Sequence, residues 1–161
     1  MNGISAWKIV EGYHYQTGKD CVEALLKSGY RVSEWVQDIF SDARHDSQPI
    51  SVPISLSRVS VSSLGLNAPT ALSDIYNKIE ECGYGLVSPE IAIYCRFIYD
   101  EQPTGEWLRY ATPLNSMIDS DGVPHLPKLG KALGLYFLET YWAYEGAIFH
   151  PHNEFVVTTP D

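Results

Sequence analysis

The feature that most constrains this chain is a change of apolar period along it. Between residues 17 and 82 three segments carry apolar residues every three or four positions, the first and third closed by Gly29 and Gly83; beyond residue 91 apolar residues are mostly β-branched and aromatic, in runs separated by turn residues. A period near 3.6 buries one face of a helix, and a period of two buries one face of a strand. Helices gathered ahead of strands predict an α+β domain with a mainly antiparallel sheet.

The segments follow from local chemistry. Residues 17–29 predict a helix, with Thr17 as cap, Asp20 completing a capping box, Cys21, Val22, Leu25 and Leu26 as the apolar face, and Gly29 as the stop. Ser33 caps a second helix carrying Trp35, Val36, Ile39 and Phe40, and the two form a tight helical hairpin over about 17–42. Residues 43–53, with Pro49 and Pro53, read as a loop. Ile54 and Leu56, then Val59 and Val61, alternate with a phase change near Ser57, which predicts an edge strand with a bulge. A third helix covers Thr70 to Cys82 on the stripe Leu72, Ile75, Tyr76 and Ile79, with Gly83 behind it.

Residues 91–99 and 106–112 read as two strands joined through Pro103-Thr104-Gly105 into a hairpin. Asp119-Ser120-Asp121-Gly122 is a turn, Leu135 to Tyr144 a strand, and 154–159 a closing strand. A helix over 128–144 is the rival reading, and Gly130 and Gly134 would each cost it about 1 kcal/mol.

With 161 residues, 45% of them apolar, the chain is long enough to bury one core, so a single domain over 1–161 is expected, with a mixed α/β remainder from 54 to 160. No run reaches the roughly 20 apolar residues of a membrane span, and residues 1–15 lack the pattern of a secretory signal. Cys21, Cys82 and Cys95 are odd in number and have no CxxC spacing, which fits a reducing cytoplasm and no disulfide framework.

Several stretches carry a resemblance. Thr17-Gly18-Lys19-Asp20, Gly29-Tyr30-Arg31-Val32-Ser33-Glu34-Trp35, Asp74-Ile75-Tyr76, Gln102-Pro103-Thr104-Gly105-Glu106-Trp107-Leu108, Asp119-Ser120-Asp121-Gly122 and Phe149-His150-Pro151 ahead of Phe155-Val156-Val157 resemble an uncharacterised family of small bacterial proteins. The resemblance implies a bacterial or phage-related origin and a shared fold; it brings no activity, cofactor or site residue. The chain departs from the family pattern at Ser88, where Cys is common, and at Ile93-Tyr94, where Gly-Pro is usual.

Motifs that would carry chemistry are sparse. His150-x-His152, with Glu154 as a third ligand, is the candidate metal set, against which stand the turn residues Pro151 and Asn153. Asp119-x-Asp121-Gly122 matches the opening of a calcium loop but lacks its later acidic ligands, so a turn accounts for it. Nucleophile elbows and phosphate-binding loops are absent from the sequence. A helix-turn-helix reading of residues 22–40 meets Glu34, Asp38 and Asp42 on the would-be recognition helix, which together with net charge −9 disfavours nucleic acid.

By elimination the sequence points to a non-enzymatic interaction protein, of the inhibitor, immunity or antitoxin kind, without cofactor. Its partner is expected to be a protein, of basic character, with a homodimer also open. The expected surface is an acidic, aromatic sheet face containing Trp107, Tyr110, Tyr141 and Trp142. The alternative is a small enzyme or metal-binding protein whose His14, His125, His150, His152 and acidic residues converge only in the fold.

Overall fold

A computed structural model describes residues 6–42, 45 and 50–160. Among these residues the chain forms β1 (Lys8–Val10), α1 (Gly18–Lys27), β2 (Arg31–Val32), α2 (Glu34–Ser41), β3 (Ile54–Ser60), β4 (Thr70–Ala71), α3 (Leu72–Glu81), α4 (Pro89–Ile98), β5 (Trp107–Tyr110), β6 (His125–Ala132), β7 (Leu135–Trp142), β8 (Ile148–Phe149) and β9 (Glu154–Thr158). The fold is α+β. Seven strands make one mixed sheet in the order β1-β3-β9-β5-β6-β7-β2, and β4 pairs with β8 apart from it. Neighbours are antiparallel except β5 with β9 and β2 with β7, which are parallel.

Two cores lie on opposite faces of this sheet. Along β9, Val156 faces one way into a core with Leu56, Leu108, Tyr110, Leu129 and Leu138, covered by α1, α2 and α4. Phe155 and Val157 face the other way, with Val59, Leu126 and the α3 stripe Leu72, Ile75, Tyr76 and Ile79. This corrects the reading of β3. Its ladder with β9 runs unbroken from Leu56↔Thr158 to Ser60↔Glu154, and it sits inside the sheet between β1 and β9. The phase change near Ser57 marks a strand buried on both faces, with Leu56 in one core and Val59 in the other.

A second correction concerns residues 91–99, which form helix α4 and not a strand, so the hairpin with residues 106–112 does not exist. Ser88 Oγ accepts from Ile91 N, Pro89 takes the first helical turn, and Glu90 sits beside the N-terminal dipole. Packing on both sides buries Ile91, Ala92, Ile93, Cys95 and Arg96, which erases the one-sided stripe that marks a surface helix. The two N-terminal helices keep their predicted caps, Thr17 Oγ1 to Asp20 N and Ser33 Oγ to Val36 N. The link between them contains β2, which joins the sheet beside Phe137 and Leu138. Of the loop expected over 43–53, residues 43–44 and 46–49 lie outside the described residues.

Residues 128–144 are neither one helix nor one strand. They belong to the hairpin of β6 and β7, turned by Leu133 and Gly134, both at positive φ (53° and 74°), as a two-residue type I′ connection requires. Pro127 has no N–H to give, and the β5–β6 ladder ends beside it at Arg109↔Lys128. Arg96, fully buried, ties α4 to the hairpin by donating to the carbonyls of Gly130 and Phe137, and donates as well to the Tyr99 carbonyl at the end of its own helix.

A candidate binding face

The four aromatic residues expected to share one surface are divided by the pleat. Tyr110 points into the helix-covered core and is 0% exposed, so it contributes nothing to a surface. Trp107 and Tyr141 lie on the α3 side of the sheet. Trp142 lies on the other side, opposite His125 in the β6–β7 register.

On the α3 side, the β6–β7 end of the sheet extends past the helix. Trp107 lies flat on Gly130, where a Cβ would meet its ring at 2.2 Å, and its ring centroid is 5.8 Å from that of Phe137. Lys128 Nζ stands 5.2 Å from the Trp107 centroid and 4.2 Å from that of Tyr141. Arg109 continues the ladder over Tyr141 and Phe149 at 4.8 and 5.3 Å. Burial pushes the Glu139 carboxyl up, opposed by neighbouring Lys128. The charges on this face are mainly positive, and aromatic rings already engage the cations; the expected acidic character is not found here.

The acidic and aromatic characters meet on the opposite face, at the end of β6 and β7. Asp119 opens the predicted turn and folds back on it: its Oδ1 accepts from Asp121 N at 2.9 Å and Val123 N at 3.0 Å, with Gly122 at φ 84°. That oxygen is therefore occupied by the turn itself. Asp119 Oδ2 meets His125 Nε2 at 2.8 Å, and His125 Nδ1 meets Thr140 Oγ1 at 2.8 Å. Burial by itself would raise the Asp119 carboxyl, but the His125 hydrogen bond and the two backbone amides outweigh it and hold it below its ordinary value. An ionised carboxylate only accepts, so Nε2 carries a hydrogen, and in the neutral ring Nδ1 accepts from the Thr140 hydroxyl.

This relay supports two tryptophans. The Trp35 ring, on the first turn of α2, stacks over the His125 imidazole at 5.8 Å and 26°. Asp38 Oδ2 accepts from Ser120 N at 2.7 Å, which ties α2 to the turn. Trp35 is 48% exposed and Trp142 65%. Around them Glu34 and Asp121 are exposed and Asp38 is half-buried. Helical spacing placed Trp35 on the buried face of α2; its ring lies at the rim, because the relay occupies the space beneath it. The hydroxyl–imidazole–carboxylate order is also that of a nucleophile relay. Here His125 and Asp119 are each 2% exposed, and Asp119 fixes a turn, so the chain of bonds acts as a clamp.

The histidine candidates do not converge. The His150 and His152 rings are near-parallel at 5.9 Å, so their in-plane lone pairs run side by side and do not point to a common ion, while Glu154 is held by Arg58. His14 is exposed ahead of α1. His45 pairs with buried Glu90 at 2.7 Å, on the first turn of α4. Among the described residues, no group of three or more His, Cys, Asp or Glu side chains is placed to hold a metal ion, and no helix is long and apolar enough to cross a membrane. Comparison with protein-family models, with curated proteins and with solved structures finds no match to this chain.

Proposed function

We propose that this protein is a non-enzymatic interaction protein that binds a basic protein segment at the Trp35–Trp142 face, as inhibitors, immunity proteins and antitoxins bind their targets. The observation that carries this reading is the pair of exposed tryptophans on either side of the clamped His125, within a rim of Glu34, Asp38 and Asp121. Tryptophan is the side chain most enriched at binding hot spots, and its ring face attracts Arg and Lys. Rigid rings lose little entropy on contact, and the clamp fixes one of them before any partner arrives. The carboxylates complement a cation directly, and the net charge of −9 speeds its approach at low salt.

Affinity capture at low and moderate salt tests the reading, with the wild type and Trp142→Ala as baits. Trp142 is mostly exposed, so its truncation leaves the fold intact, and loss of a hot-spot ring costs at least about 2 kcal/mol of binding, roughly thirtyfold. A basic protein retained by the wild type, released by salt and lost from the variant is the expected result. Equal retention by both baits refutes it.

A further inference from the structure

The open edge of β7 lies beside the proposed face. In the two-residue hairpin, Ala132 and Leu135 form the closing hydrogen-bonded pair, so the odd residues of β7 bond to β6 and the even ones, Tyr136, Leu138, Thr140 and Trp142, turn their main-chain groups outward. Two observations agree with this phase: Ala143 N bonds inward to Pro124 O, and Leu138 O accepts from Ser33 N on the outer side. On that side β2 covers only Phe137 and Leu138 before the chain leaves at Ser33 to begin α2. Beyond Leu138 no strand pairs with this side of β7, and among the described residues the main-chain groups of Thr140 and Trp142 make no hydrogen bond outside the strand ladders.

Resting on the proposed function, we infer that the partner's basic segment binds as an added strand on the outer edge of β7, pairing with Thr140 and Trp142 in the line that β2 vacates. Edge addition obtains affinity from main-chain hydrogen bonds and specificity from alternate side chains. One set of side chains would fall beside Trp142 and the Glu34–Asp38–Asp121 rim. The other would fall beside Glu139 and Tyr141 on the opposite face. On the tryptophan side the carboxylates of Glu34, Asp38 and Asp121 flank the edge, whereas on the other side Glu139 is set against Lys128; the charge that favours a basic strand therefore comes from the tryptophan side. A second copy of this chain would bring like charges together.

Amide hydrogen exchange followed by NMR tests this, using an acetylated Lys-Thr-Lys-Val-Lys-Thr-Lys-Val peptide at low salt as the probe. The expected result is that the Thr140 and Trp142 amides exchange at least tenfold more slowly with peptide. Glu139 and Tyr141, already bonded to β6, should not change. Salt-sensitive shifts of the Trp35 and Trp142 indoles without amide protection would overturn strand addition and leave the proposed face standing. No indole shift and no protection would overturn both. Protection of the same two amides in the free protein, with a dimer by light scattering, would overturn the basic segment as occupant in favour of a second copy.

Discussion

His125→Ala removes an imidazole that is 2% exposed and does three things at once: it donates to Asp119, accepts from Thr140 and supports the Trp35 ring. Thr140 is half-buried and can turn to water, so its loss is small. Asp119 cannot, because it remains buried with one oxygen unmatched. Leaving a buried acceptor without its donor costs about 1–3 kcal/mol, and more when the acceptor is charged. Asp119 keeps its two backbone amides while Trp35 loses its support, which places the expected loss at about 3 kcal/mol. In urea, with a slope of about 1–3 kcal/mol/M, this moves the unfolding midpoint down by roughly 1–3 M. The dependence on pH has a definite sign. In the native protein the Asp119 carboxyl is held below its unfolded value, so its contribution is present above about pH 4 and is lost as pH falls through the folded value. Without His125 the depressing contact is gone, and the gap between variant and wild type should narrow on acidification below about pH 4. A midpoint shift under about 0.3 M, or a gap that widens below pH 4, would show that the relay is not the clamp.

Two further outcomes can be checked on the same protein. Gly130→Ala places a Cβ 2.2 Å from the Trp107 ring and should cost about 1–3 kcal/mol by overpacking; in a Trp107→Ala background the obstacle is gone, and urea titration should find the same substitution close to neutral. Burial pushes the Cys21 and Cys95 thiols up to about 12, whereas Cys82 is half-buried. Iodoacetamide at pH 8 should therefore label Cys82 in the native protein and reach the other two only after unfolding, as peptide mass spectrometry would show.

What could be read from the sequence was what depends on neighbours along the chain. Thr17, Ser33, Gly29 and Gly83 act on residues within one turn of themselves, and they mark the three helices that were expected. The α4 segment misleads because Ile, Tyr and Phe favour strands when half-exposed, whereas here the tertiary fold buries them on two sides; the signal against a strand was Ser88-Pro89-Glu90, a cap, a first-turn proline and an acid in succession. The candidate face was legible only in pieces. Trp142 and the 119–122 turn stood out locally, but the Asp38–Ser120 bond spans 82 positions, and Trp35 meets His125 only after α2 docks on β7. Tyr110 was assigned to a surface because composition cannot tell which side of the pleat a residue occupies; one residue along β5 separates the core from the open face.

The position of β9 has a consequence for how the chain is made. Among the described residues it is translated after the other strands, yet it is the seam between β3 and β5, so without it the sheet is two ribbons, β1-β3 and β5-β6-β7-β2, with bare inner edges. Until residue 158 has cleared the ribosome exit tunnel, Leu56, Val59, Leu108 and the rest of both cores have no central strand to close on. Such long-range pairing is slow and leaves nascent chains open to mispairing, so overproduction in cells should depend on holdase chaperones.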